Sequence, residues 1–151
     1  MIAGRVVLDS SVVIAAMRPS EAGHEDALDF LSRARAAQEG GGAQVLAPPE
    51  LWLEVHVAAQ KLAKQKGEPK DPMEGLAIDL IAMDRREVVL AFLELLSARM
   101  HGQAPLPNAT DLVYLWVAWS EGATLVTLDR GLLKCHGIVC DVTRPYHYRF
   151  G

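Results

Sequence analysis

The chain has little cysteine, few aromatics, no long hydrophobic run and no basic excess, and each shortage excludes something. Two cysteines in 151 residues, Cys135 and Cys140, cannot build the disulfide framework of a small secreted domain and point to a reducing, cytoplasmic setting. With His136 and His147 they fit no zinc-finger or ribbon spacing, so they read as ordinary thiols. The longest strictly apolar stretch, Leu112 to Trp119, is eight residues, far below the ~20 that span a bilayer. Asp9 interrupts the N-terminal apolar stretch where a secretory leader needs an unbroken core, so no leader is expected. With 19 acidic and 15 basic residues the formal charge is −4, whereas a protein that coats nucleic acid nonspecifically is usually basic. What the chain does have is apolar content: half its residues are hydrophobic and 23% are charged, a balance that argues against disorder. Its length suits one domain over residues 1–151.

Strand and helix patterns alternate. Arg5-Val-Val-Leu-Asp9 is a short apolar run without alternation, as expected of a parallel strand covered on both faces. Ser10 or Ser11 starts a helix to Met17, and a second helix is expected from about Glu21 to Gln38, ended by Gly40-Gly41-Gly42. A strand over 44–47 stops at Pro48-Pro49. A helix then runs from Glu50 to about Lys64, with Leu51, Val55, Ala58 and Leu62 as its apolar stripe. Residues 64–72 read as a flexible polar loop. Further on come a strand over 76–82, a helix capped by Asp84 and ending near Met100, and a turn over 102–107. Asn108 caps a helix to Glu121. A strand over 124–128, a short helix from Asp129 to His136 and a last strand over 138–141 complete the pattern. Strands alternating with helices argue for an α/β fold: three layers, α/β/α, around a central parallel sheet. Trp52, Trp116 and Trp119 are expected in the core, with a dimer face as the alternative.

The chemistry sits in four acids. Asp9 and Asp129 follow the carboxyl ends of strands, the edge of an open α/β sheet where ligands collect. Asp111, in the first turn of its helix, shares a face with Leu115 and Ala118. Glu54 lies roughly 60° from the centre of its helix's apolar stripe, at ~100° per residue. Each alone could be a cap or a surface charge. Together they could converge, and packed carboxylates repel by ~4 kcal/mol per pair at 4 Å and an effective dielectric of 20. Hard divalent cations such as Mg²⁺ or Mn²⁺ relieve that repulsion. Without these four the chain would hold 15 acidic and 15 basic residues, so the negative excess is no larger than the proposed site.

Val7-Leu8-Asp9-Ser10-Ser11-Val12 resembles the opening motif of PIN-domain proteins. Pro49 followed by Leu53-Glu54-Val55 resembles their second acidic motif, Asn108-Ala-Thr-Asp111 the third, and Gly122-Ala-Thr-Leu-Val-Thr127-Leu-Asp129 the fourth. The motifs span most of the chain in the family's order. The resemblance implies metal-dependent cleavage of RNA, with Asp9, Glu54, Asp111 and Asp129 around one or two Mg²⁺ or Mn²⁺ ions and Ser10 or Thr127 adding hydrogen bonds. Glu50 competes with Glu54 for the second position, and family spacing favours Glu54. Small members of this kind include VapC-type toxins of bacterial toxin–antitoxin pairs, which implies an RNA substrate, an antitoxin partner and a homodimer. Lys61, Lys64, Lys66, Arg85, Arg86 and Arg130 are candidates for phosphate contact. Two other readings stand beside this one. An aspartate-based phosphotransfer domain would want a second Asp where Ser11 stands. A catalytically inactive PIN-like interaction module would be expected to have lost one of the acids.

Overall fold

The computed structural model describes residues 4–102 and 105–151. Five parallel strands form one sheet: β1 (Gly4–Leu8), β2 (Ala43–Ala47), β3 (Ile78–Leu80), β4 (Thr124–Val126) and β5 (Val142–Thr143), in the order β3-β2-β1-β4-β5. The helices are α1 (Ser10–Met17), α2 (His24–Glu39), α3 (Glu50–Lys66), α4 (Arg86–Met100), α5 (Ala109–Glu121) and α6 (Arg130–Leu133). The architecture is the three-layer α/β/α sandwich that the alternating pattern predicts. From β1 the chain steps outward through β2 to β3, then returns to place β4 on the other side of β1. Right-handed crossovers put helices made on the outward and return paths on opposite faces. The reversal of direction lies between β1 and β4, and a crevice opens at such a point outside the strand ends.

The core follows from the sequence. Val6, Val7, Leu8, Val45, Leu46, Leu125 and Val126 are essentially inaccessible, because a central parallel strand is covered on both faces. Tyr114, Leu115, Val117 and Ala118 of α5 pack on β1, β2 and β4. Phe92, Leu96 and Met100 bury one side of α4 at helical spacing. Gly122 (φ 60°) closes α5 in a left-handed turn, its N–H shared between the carbonyls of Ala118 and Trp119. The turn suits glycine, which lacks a Cβ, and delivers the chain into β4.

Several boundaries differ from expectation. The strand expected over 76–82 is only Ile78–Leu80, at the sheet edge, where a single neighbour supports it. Helix α4 begins at Arg86 with Arg85 at its cap position, so Asp84 caps nothing. Helix α2 starts at His24 rather than Glu21, after a turn in which His24 N–H bonds the Glu21 carbonyl. Residues 138–141 are not a strand. Gly137 N–H turns back onto the Cys140 carbonyl, and pairing with β4 starts at Val142. The short helix expected to reach His136 ends at Leu133. The turn expected over 102–107 lies partly outside the described residues. The polar segment after α3 is pinned at its far end: the Arg35 guanidinium donates to the carbonyls of Pro72 and Glu74, and Met73 is buried. Of the tryptophans only Trp116 is buried. Trp52 and Trp119 are 37% and 39% exposed, each lying just off its helix's buried stripe. The thiols of Cys135 and Cys140 are unpaired, and burial pushes the Cys140 thiol up to about 12, which keeps it protonated.

After β5 a 3₁₀ turn (Pro145–His147) packs on α2. Arg33 fastens it, donating to the carbonyl of Tyr148 at 2.6 Å and of Pro145 at 3.0 Å, while Tyr148 and Phe150 lie against Phe30. Charge-assisted bonds to partly buried carbonyls contribute about 1.5–3 kcal/mol each in favourable cases. Arg33→Ala is therefore expected to lower stability by roughly 2 kcal/mol in urea unfolding and to expose the last ten residues to proteolysis first. An unchanged midpoint and digestion pattern would show that the ring contacts with Phe30 suffice.

Candidate functional site

Asp9 leaves β1 in extended conformation at the position preceding α1, but its side chain does not cap that helix. Its N–H bonds the Val126 carbonyl, which ties it to β4 across the reversal point. The residue is only 3% exposed. Its Oδ2 accepts hydrogen bonds from the Ser11 Oγ at 2.5 Å and the Thr127 Oγ1 at 2.7 Å. Both hydroxyls are oriented from behind: Ser11 Oγ accepts from Leu128 N–H and Thr127 Oγ1 from Asp129 N–H, each at 2.9 Å. A hydroxyl has one proton, so an amide on its lone pair frees that proton for Asp9. Burial raises the Asp9 pKa, the two hydroxyl bonds work against that rise, and the nearby Glu54 charge adds to it. The supporting serine is Ser11, not the expected Ser10, and Thr127 acts as expected.

Asp129 caps α6, its Oδ1 accepting from Leu132 N–H at 2.9 Å. Asn108 caps α5 as predicted, its side chain accepting from Asp111 N–H, and so fixes the turn that carries Asp111. Burial lifts the Asp111 pKa to about 6, with the charges of Asp129, Asp9 and Glu54 adding to the rise. Glu54, on the shoulder of α3, accepts a hydrogen bond at 2.8 Å from Tyr114 Oη, a side chain wholly inside the core. Burial, then the Asp9 and Glu54 charges, keep the Tyr114 phenol protonated, so its proton is available to Glu54.

Asp9, Glu54, Asp111 and Asp129 line one cavity of about 850 Å³, outside the carboxyl ends of β1 and β4. Glu50 stands one turn away on exposed surface and does not reach it. Glu21 and Asp26 add two acids from the α1–α2 side, and Arg130 and Arg144 two cations from the α6 and post-β5 side. Of the basic residues proposed for phosphate contact, Arg130 lines this cavity; Lys61, Lys64, Lys66, Arg85 and Arg86 do not. Tyr114 and Arg144 were not foreseen. Tyr114 follows Asp111 by three positions on the same helix face, which could have signalled it.

The donor set suits a hard divalent cation: four carboxylates, none in an ion pair among the described residues. Among the described residues no three His, Cys, Asp or Glu side chains are grouped closely enough to hold a metal ion by themselves. An open arrangement is compatible with Mg²⁺, which keeps several waters and takes only one or two carboxylates directly. Cys135, His136, Cys140 and His147 do not form a zinc site: Cys135 Sγ donates to the Gly131 carbonyl, and His136 Nδ1 accepts from Val142 N–H.

A parallel sheet reversing between β1 and β4, with acids gathered at that point, defines a class of α/β domain. The chain matches the PIN domain over residues 6–136, and it belongs to the PIN domain family. No curated protein matches it in sequence. Among solved structures it is similar to VapBC2 from Rickettsia felis bound to a DNA fragment from their promoter, at 15% identity and a TM-score of 0.57, covering 92% of this chain and 98% of that one. It is also similar to PAE2754 from Pyrobaculum aerophilum, at 18% identity and a TM-score of 0.53, covering 91% and 90%. At these identities the likeness is one of fold.

Two predictions follow from the carboxylates. A folded pKa raised to about 6 from 3.8 means that the folded state binds more protons between those values, so stability falls as pH rises through that window. In chelator, Asp111→Asn should match the wild type near pH 4 and exceed it at pH 7 by roughly 1–2 kcal/mol, after allowance for screening of a partly exposed group. Urea unfolding at several pH values measures the difference, and a constant gap would contradict the assignment. Tyr114→Phe keeps the ring and removes one hydrogen bond to a charged acceptor. It should lower the melting temperature by an amount equivalent to about 1.5–3 kcal/mol, whereas an unchanged transition would show that solvent replaces the phenol at Glu54.

Proposed function

We propose that this chain is a metal-dependent endoribonuclease of the VapC kind, a single PIN-like domain over residues 1–151 that hydrolyses RNA phosphodiester bonds. Asp9, Glu54, Asp111 and Asp129 would be its catalytic acids and would hold Mg²⁺ or Mn²⁺. The observation that carries this reading is the convergence of the four acids on one cavity with, among the described residues, no cation paired to any of them. A divalent ion bound there supplies Lewis-acid polarisation of the phosphodiester and a water nucleophile at neutral pH. The remaining work falls to the protein. Ser11 and Thr127 hold Asp9 by one oxygen and leave Oδ1 outside those hydroxyl bonds. Tyr114 holds Glu54 by Oε1. Asn108 fixes the backbone under Asp111. Asp129 is anchored by Oδ1 to the start of α6. The carboxylates of Asp9, Glu54 and Asp129, and the backbone of Asp111, are thus steadied from the protein side before substrate arrives, and such pre-orientation lowers the reorganisation that catalysis would otherwise require.

The family and the likeness to VapBC2 support a toxin role within a type II toxin–antitoxin pair, with a cognate antitoxin partner, and a homodimer is part of the same reading. The proposed setting is cytoplasmic; among the described residues no helix is long and apolar enough to cross a membrane.

The test is RNA cleavage by purified protein with added Mg²⁺ or Mn²⁺. Cleavage should stop in chelator and return with excess metal. Asp9→Asn and Asp111→Asn should each lower the rate by about 100-fold or more, since even partners one step removed from a metal cost ~10–100-fold. Equal cleavage by wild type and both variants would sink the proposal.

A further inference from the structure

The four acids draw on β1, α3, α5 and the segment after β4, yet one wall of the cavity comes from a part of the chain that the family match does not reach. The match ends at residue 136, and Arg144 lies beyond it. We propose that Arg144–Arg149 is a fixed platform for single-stranded RNA, on which Arg144 meets a backbone phosphate at the cavity rim and the Tyr146 ring stacks on a neighbouring base. The proposal rests on the nuclease reading and adds how substrate is held.

Three observations support it. First, the segment is built, not loose: Arg33 bonds two of its carbonyls and Thr127 N–H bonds the Thr143 carbonyl, so Arg144 emerges from the sheet at a set place. Second, its aromatics are sorted. Tyr148 and Phe150 turn toward Phe30, whereas Tyr146 is 57% exposed. This half-exposed ring, two residues from the cavity wall, is held only by its own neighbours among the ring contacts of the described residues: His147 edge-on at 5.3 Å between centroids and the Arg149 guanidinium 5.7 Å from its centroid. Third, the charge around the rim is divided. Glu21 and Asp26 come from the α1–α2 side, Arg130 and Arg144 from the other, and neither arginine forms an ion pair among the described residues. A polyanion is repelled from one side and drawn in along the tail. Exposed rings beside guanidinium groups suit unpaired bases, whose faces are free, and suit duplex poorly.

The experiment measures fluorescence anisotropy of a short fluorescein-labelled single-stranded RNA, with Asp9→Asn as the parent so that the probe survives. The same sequence as duplex is the second arm. Arg144→Ala and Tyr146→Ala should each weaken single-strand binding by about tenfold, and Tyr146→Phe should bind like the parent. Arg144→Ala should also reduce the slope of log affinity against log salt by about 0.7. Mn²⁺ affinity, read from thermal shifts in the wild-type background, should be the same with and without Arg144→Ala. Equal RNA binding by all variants would overturn the platform and leave the nuclease reading standing. Duplex binding as tight as single-strand binding and as sensitive to Tyr146→Ala would also overturn it. A change in Mn²⁺ affinity as large as the change in RNA affinity would overturn it too, by showing that Arg144 serves the carboxylates. A parent that binds no RNA would overturn both.

Discussion

A carboxyl group placed almost wholly out of water is the constraint around which this fold is arranged. Burying an ionisable oxygen pair without partners is prohibitive. At Asp9 the partners are two hydroxyls, and those are held in turn by main-chain amides of the segment that follows β4. The acid after the first strand therefore requires the residues after the fourth, more than a hundred positions later. This closes the crevice floor and seats Asp129 at the start of α6. The ordering of β4 beside β1 and the placing of the acidic cavity are one event, not two.

Around that floor, each remaining acid is steadied by a different device: a phenol from the core for Glu54, a capping amide for the turn under Asp111, a helix start for Asp129. None of these devices is a cation. A structure seeking only stability would have paired Lys or Arg with the four carboxylates, whereas Arg130 and Arg144 line the cavity and, among the described residues, pair with none of them. Burial, with the repulsion of the other three acids added to it, lifts the Asp111 pKa to about 6, and an arrangement left in that condition marks a region shaped for something that arrives from outside.

Much of this was legible from local pattern. Asp9 and Asp129 follow apolar runs too short and too unbroken to be anything but covered strands, and strand ends define the functional edge of a parallel sheet. The spacing of the motifs it resembles favours Glu54 over Glu50, and Asn108 announces its cap. What was not legible depends on contacts distant in sequence. Ser11 and Ser10 are equivalent until Leu128 N–H is known to approach one of them. Tyr114 sits in an apolar run and reads as core, which it is, while its hydroxyl reaches Glu54, sixty positions away. Trp52 and Trp119 were expected inside because size and helical context favour burial, but each lies about 100° from a buried neighbour, enough to turn a ring outward. The last strand was misplaced because a turn closing on Cys140 contains apolar residues of its own.

The two outermost strands have a further consequence. They are three and two residues long, so the sheet offers almost no unsatisfied ladder at either flank. Self-association by strand addition, the route to runaway fibres in proteins with long bare margins, finds little template here. Any stable pairing of copies draws on surface other than the sheet margins.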